Sequence, residues 1–342
     1  MGNRDVVSIG TSAGGVEALL FLAKHLPQRF PATILITIHL PSHFRSTLDD
    51  ILSRAGPLTA SFAEDGEPTK KGHMHLAPPG RHLLLDGDRL ALGSGARENN
   101  ARPAIDPMLR SAAVCCSGRT VGVVLTGTLG DGASGLWALG RSGGITVVQD
   151  PRDAAFPEMP SNALSQIQPD HVAPLAQIPA LLERLTHEPA GQALPLPEGI
   201  RFEVEVARNG ISEMDRMDRI GRRSVLSCPD CGGVMWEIGE NDLVRYRCHI
   251  GHAYTAEMMS VAMDEALRRA LASAKRGFQE RRALMEKLEK HASDDGHTQL
   301  AATWRAKAEE FRREADVIHN AIRRLEQITA PPDQTCGVSL RR

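Results

Sequence analysis

The chain has 342 residues, with 40 Lys and Arg against 42 Asp and Glu and a formal net charge of −2. That length supports one substantial core and a smaller second unit, and the balanced charge argues against a nucleic-acid binder, which would carry a basic excess. No apolar run approaches the roughly 18 residues of a membrane span, and the start lacks the apolar region and cleavage site of a secretory leader, so a cytoplasmic protein without membrane insertion is expected.

Residues 1–188 alternate strand-like and helix-like runs, the pattern of an α/β fold: a doubly wound, mostly parallel sheet with helices on both faces. Residues 6–9 are a β-branched run, and helical spacing follows over 16–25. The segment "TILITIH", 33–39, reads as a strand buried on both faces. Residues 73–92 read as a local hairpin, with 83–85 and 90–92 joined across Asp86-Gly87-Asp88. A helix is expected over 103–116 with Pro103 in its first turn, then a strand at 120–125, a helix at 133–140 and a strand at 145–149.

Residues 186–199 turn rich in proline and glycine, so 189–226 read as a linker. A compact metal-binding segment is expected at 227–254, a helical hairpin at 255–329 and a tail at 330–342. In the hairpin, Trp304, Ala308, Phe311, Ala315, Ile318, Ile322 and Leu325 repeat at spacings of four and three. Leu267, Leu271, Ala274, Phe278, Met285 and Leu288 keep that rhythm, with Arg281 interrupting. Such a seam buries one helix on the other or carries a homo-oligomer. Cys115 and Cys116 read as small buried residues, and Cys336 as an inert tail residue.

The stretch Gly10-Thr11-Ser12-Ala13-Gly14-Gly15 begins almost at the first residue. A dinucleotide fingerprint needs glycine where Ser12 stands, and a P-loop needs a lysine that no glycine here precedes. Gly10 to Gly14 do match the nucleophile elbow G-x-S-x-G, whose small residues let the chain turn sharply and expose the serine. An α/β-hydrolase needs several strands before its elbow, so the nucleophile belongs to another fold.

A serine nucleophile needs a base, and the base needs an orienting acid. In an open parallel sheet, functional side chains gather beyond the carboxyl ends of the strands. Ser12, His39 and Asp131 each follow a strand in that way. Taken singly, His39 could be a strand-end histidine satisfied by backbone and Asp131 a plain helix cap. His43, His73, His75 and His82 compete for the base, and Asp106, Asp150 and Asp153 for the acid.

Six blocks carry a resemblance: "IGTSAGGVEAL", "IHLPSHF", "HLAPPGRHL", "RPAIDPMLRSAA", "LTGTLGDGASGL" and "FPEMPSNAL". In that order, over about residues 5–185, the chain resembles the catalytic domain of CheB-type protein-glutamate methylesterases. The resemblance implies hydrolysis of glutamate methyl esters on methylated chemoreceptors or similar signalling proteins, and deamidation of glutamine, without a catalytic cofactor. It implies that Ser12 is the nucleophile, His39 the base and Asp131 the orienting acid. Two positions depart from the commonest family form, Ala13 after the serine and Thr128 before the acid. If they act through backbone N–H groups the oxyanion site survives; if a side chain matters, rate or preference shifts. A phospho-receiver domain, typical of the family, is not expected ahead of the catalytic strand.

Cys228-Pro229-Asp230-Cys231, sixteen residues and then Cys248-His249-Ile250-Gly251-His252 resemble a zinc ribbon. Thiolate and imidazole at this spacing suit a tetrahedral site. Cys228, Cys231, Cys248 and His252 are the expected ligands, with His249 as the alternative fourth. The zinc is expected to be structural, tying together a segment too small for its own core. The chain is therefore read as a serine carboxylesterase with a zinc ribbon and a helical hairpin. The competing reading is a non-catalytic signalling scaffold that binds partners through those last two parts.

Overall fold

The computed structural model describes residues 2–40, 46–210, 212–240 and 243–329. Two compact units divide the chain, Met1–Met259 and Ser260–Arg342.

The first unit opens with β1 (Val6–Thr11), α1 (Gly15–His25), β2 (Thr33–Ile38), α2 (Leu48–Ala55), β3 (Thr59–Phe62) and β4 (His73–Leu76). An antiparallel hairpin follows, β5 (His82–Asp86) with β6 (Arg89–Gly93), and then α3 (Ile105–Cys116) and β7 (Thr120–Val124). Next come α4 (Ala133–Arg141), β8 (Ile145–Gln149), α5 (Glu158–Gln166), β9 (His171–Ala173) and α6 (Ile178–His187). Among the described residues, seven strands make one sheet in the order β3-β4-β2-β1-β7-β8-β9, every neighbour pair parallel.

The sheet is wound on both faces, as the alternating pattern demanded. Val7, Ile9, Ile34, Ile36, Val121 and Val123 meet α1, α2 and α6 on one side. Val6, Leu35, Val124 and Val148 meet α3, α4 and α5 on the other. Successive side chains point to opposite faces, so strands covered on both sides are apolar throughout. Residues 73–76, expected within a hairpin, instead pair in parallel with β2 and β3 as β4, and only β5 and β6 form the hairpin.

Residues 189–226 are more than a linker. They include α7 (Glu198–Asn209), α8 (Met214–Ile220) and β10 (Arg222–Ser227). Ile200 joins the α3–α4 core, and Ala207 packs on Leu84 and Ala91. Proline-rich composition marks where the chain leaves the sheet, but α7 returns to it. β10, β11 (Val234–Glu240), β12 (Leu243–Cys248) and β13 (Ala253–Thr255) make a four-stranded antiparallel sheet. This segment has a small core after all, in which Trp236 and Ile238 pack with Phe202, Val206 and Met217. Buried ions tie it down: Arg247 lies 3.0 Å from Glu98 and 3.2 Å from Glu203, and Glu98 also pairs with Arg110 of α3. Removing one member of such a buried network costs more than its mutual attraction suggests, because a desolvated charge is left alone.

The second unit is the expected helical hairpin. It comprises α9 (Ala256–Asp294) from Ser260 onward and α10 (Thr298–Thr329), joined through Gly296 at φ 76°. Ala292, Ala301, Ala308 and Ala315 are buried, and the Phe278 and Phe311 rings lie 6.3 Å apart. Arg281, which interrupts the seam, lies over Phe311. Leu267 and Ala274, expected within the seam, are exposed. No helix among the described residues is long and apolar enough to cross a membrane.

Candidate active site

β2, β1 and β7 lie side by side at the point where the sheet order reverses, and their carboxyl ends carry Ser12, His39 and the loop to Asp131. Ligands of open α/β sheets bind at such a crevice. The chain leaves β1 in a tight turn: the Ser12 N–H donates to Thr126 O at 3.1 Å, and the Gly15 N–H donates to Ser12 O at 2.9 Å. Gly14 sits at φ 71°, a left-handed conformation that glycine adopts without a Cβ penalty. α1 starts immediately behind, with its N-terminal partial positive charge beside the serine.

The three expected residues are in contact. The Ser12 hydroxyl donates to Nδ1 of His39 at 3.1 Å, and Nε2–H of His39 donates to Oδ2 of Asp131 at 2.8 Å. That pairing leaves Nδ1 as the acceptor that can take the serine proton. Asp131 is buried, with a side chain only 1% exposed, while His39 is partly open. Burial opposes ionisation of Asp131, but the hydrogen bond and charge of His39 outweigh it, aided by the Ile105 N–H at 2.6 Å and the Asn99 amide at 3.0 Å. Together they hold the carboxyl below its ordinary range. The arrangement can generate a serine nucleophile.

The competitors lie elsewhere. His73 and His75 belong to β4, and buried His82 bonds Ala96 O at 2.9 Å. Asp150 pairs with Arg152, and Asp153 bonds Gln149 and the Leu175 N–H. His43 lies outside the described residues. Asp106 is nearer. Buried behind the site, it accepts from Asn99 and the Gly135 N–H, and its carboxyl is pushed up to about 7 by burial and then by the charge of Asp131.

Two contributors had no assignment in the sequence. Asn99 donates to both Asp131 and Asp106 from a backbone at φ 48°. The adjacent Asn99-Asn100 pair was a usable signal, since asparagine tolerates the left-handed region. Gly127 lies so close under the nucleophile that an added Cβ would stand 2.9 Å from Ser12 Cβ. Beside the triad opens a cleft of about 350 Å³, bordered by His39, Leu40, Arg97, Arg102 and Leu129.

The second sheet gathers the expected metal ligands. One donor atom each of Cys228, Cys231, Cys248 and His252 lies within 4.8 Å of all the others. His252 Nδ1 is 3.7 Å from Cys228 Sγ and 3.5 Å from Cys248 Sγ, and the sulfurs of Cys231 and Cys248 are 3.7 Å apart. Donors placed tetrahedrally around zinc are roughly 3.5–3.8 Å apart, so the donor set fits such an ion. Asp230 accepts from the Tyr254 hydroxyl at 2.9 Å and from Arg97 at 3.1 Å, and its carboxylate lies 3.6 Å from the other ring nitrogen of His252. His249 instead packs where a side chain on Gly233 would stand.

Residues 7–182 match the family model described as CheB methylesterase. A relative from Leptospira interrogans is 35% identical over 184 residues, which is 54% of this chain and 95% of its own. A protein-glutamate methylesterase/protein-glutamine glutaminase of Pectobacterium atrosepticum is 34% identical over 198 residues, 57% of this chain and 56% of its own. The crystal structure of the Thermotoga maritima CheB methylesterase catalytic domain is similar at a TM-score of 0.52 and 33% identity, covering 54% of this chain and 99% of that one.

Proposed function

This chain belongs to the CheB methylesterase family, and from that premise we propose that Ser12, His39 and Asp131 hydrolyse glutamate methyl esters on a chemoreceptor-like protein. The contact chain from Ser12 through His39 to Asp131 carries the reading. As the Ser12 oxygen attacks the ester carbonyl carbon, Nδ1 of His39 takes the hydroxyl proton. The C–O bond to methoxide breaks, the proton passes to that oxygen, and methanol leaves an acyl-serine. Water then attacks the acyl carbon and gives a proton to Nδ1. Glutamate departs, and the proton returns to Ser12. Asp131 holds the imidazole in the required tautomer and balances its transient charge. The same steps on a glutamine side chain release ammonia, the glutaminase activity that the Pectobacterium relative's name carries.

Zinc is the metal this reading places on Cys228, Cys231, Cys248 and His252, where it supplies cross-linking and no catalytic step. Reduced thiols at those positions suit a cytoplasmic setting. The hairpin groove bordered by Leu267, Leu271, Val317, Ala321 and Leu325 is the surface assigned to self-association. Methanol release from methylated receptor tests the central claim. The full chain is expected to release it and Ser12→Ala is not; equal release by both would end the esterase reading.

A further inference from the structure

The triad acid is held from outside the sheet that carries it. Asn99 Nδ2 donates to Asp131 Oδ1 at 3.0 Å and to Asp106 Oδ2 at 2.8 Å, so one amide spaces two carboxyl groups. The other end of that amide faces the second sheet: the Thr255 N–H donates to Asn99 Oδ1 at 3.2 Å. The Asn99 N–H donates to Ala253 O at 2.8 Å, and Glu98 bridges to Ala253 in parallel register. β13 is thus paired on one edge with β12 and on the other with the segment that presents Asn99. Met258, just beyond β13, accepts the N–H of Gly130 next to Asp131 at 3.3 Å.

β13 begins one residue after His252, whose carbonyl accepts the Cys248 N–H at 2.9 Å. An unbroken run of short contacts therefore leads from the cysteine–histidine cluster through Ala253 and Thr255 to Asn99, Asp131 and His39. Asn99 is 4% exposed and held at φ 48°, so its side chain has little freedom while both neighbours stay in place.

We infer that Asn99 is a positioning residue for Asp131, and that metal at Cys228, Cys231, Cys248 and His252 governs the triad by fixing β13 against Asn99. The inference rests on the esterase reading for its activity readout but not for its spectroscopic one. Metal loading makes the β12–β13 turn rigid, which sets the Thr255 N–H and so the amide that spaces Asp131 from Asp106. Without metal the turn loosens and Asp131 loses a fixed donor. The imidazole then samples orientations that do not face Ser12. Small misplacements of this kind cost up to roughly a hundredfold in rate.

The test uses the full chain and the variants Asn99→Gly, Asp230→Asn and their double. Glycine tolerates the Asn99 backbone conformation, so Asn99→Gly removes the amide alone. Asp230→Asn keeps all four ligands and neutralises the carboxylate beside His252. Because Asp230 also accepts from Tyr254 of β13 and from Arg97, the comparison is made within that one variant, with zinc occupancy titrated by a chelator buffer while circular dichroism follows folding. Asn99→Gly is expected to lower kcat by roughly ten- to a hundredfold with KM within about twofold, and to lose the downfield N–H proton resonance between His39 and Asp131. In Asp230→Asn, kcat and that resonance should follow zinc occupancy; in the double variant neither should respond to zinc. Unchanged kcat and resonance in Asn99→Gly would overturn the positioning role, and an equal zinc response with and without Asn99 would overturn the route from the metal. If the wild type releases no methanol, the esterase reading fails, and the resonance still decides whether Asn99 positions Asp131.

Discussion

Nε2 of His39 lies 2.8 Å from Oδ2 of Asp131, although 92 residues separate them in the chain. The contact exists because β1 stands between β2 and β7, so that His39 and the Asp131 loop flank Ser12 at one end of the sheet. Replacing Ser12 by alanine removes the nucleophile without disturbing the backbone bonds to Thr126 and Gly15. The expected result is a loss of kcat of roughly ten-thousandfold or more, with the melting temperature nearly unchanged. A large fall in melting temperature would mean that Ser12 is structural.

Asp131 presents a different balance. His39, Ile105, Asp106 and Asn99 all donate to its two oxygens at 2.6–3.2 Å. Asp131→Asn puts an N–H2 group where only donors converge. It should lower kcat by roughly ten-thousandfold through the wrong imidazole tautomer and lower stability by about 1–3 kcal/mol. Steady-state kinetics and urea unfolding measure the two losses separately, and a stable variant would show that these donors do not converge on the carboxylate.

The meeting of Ser12, His39 and Asp131 was legible because strand-end placement can be read from local pattern: each follows an apolar run with the pattern of a buried strand. Asn99 was not legible, since its role depends on β13 reaching back across the chain to pair with residues 97–99. The reading of 189–226 as a linker failed for a related reason. Proline and glycine report local chain direction, whereas the packing of Ala207 on Leu84 and Ala91 is a tertiary fact. The clustering of Cys228, Cys231, Cys248 and His252 was readable because the spacing of the cysteines and histidine brings them to one end of a small sheet, although the small core around Trp236 was not anticipated.

Metal removal should destabilise the second sheet. Cys228→Ser deletes one of the four donors proposed to hold zinc and is expected to abolish metal binding at that cluster. Several kcal/mol of folding energy go with it, and loosening of β12 threatens the buried pairing of Arg247 with Glu98 and Glu203. Elemental analysis and thermal unfolding read the two effects; wild-type metal content in Cys228→Ser would refute the ligand set.

His75 is fully buried on β4, and burial followed by the charge of His73 pushes its imidazole down to about 4. An unfolded chain takes up the proton near 6.5, so it binds more protons than the folded chain between pH 6.5 and 4. Stability is therefore lost as pH falls through that window, by roughly 2 kcal/mol for this group once solvent screening is allowed for. Asp106, raised to about 7, works the other way and gains stability as pH falls. The informative quantity is thus the difference between the wild type and His75→Gln, measured by urea unfolding. The wild type should lose ground to the variant from pH 6.5 to pH 4, and parallel curves would show that His75 is not held neutral.

Gly127 lies directly under the nucleophile, at a backbone conformation that alanine can adopt. Its added methyl would stand 2.7 Å from Met159 Cε and 2.9 Å from Ser12 Cβ. The end of a methionine side chain can move aside, but Ser12 Cβ is anchored by the Thr126 and Gly15 bonds of its own backbone. The serine must therefore shift or tilt relative to Nδ1 of His39, whose 3.1 Å contact is the one through which the proton leaves. Gly127→Ala should lower kcat by up to roughly a hundredfold while costing about 1–3 kcal/mol of stability. Gly66→Ala is a poor control because Gly66 sits at φ 79°, whereas Gly239→Ala meets nothing within 4 Å and has no such strain. Kinetics on the pair of variants separates a crowded nucleophile from a general loss of glycine: only Gly127→Ala should lose rate.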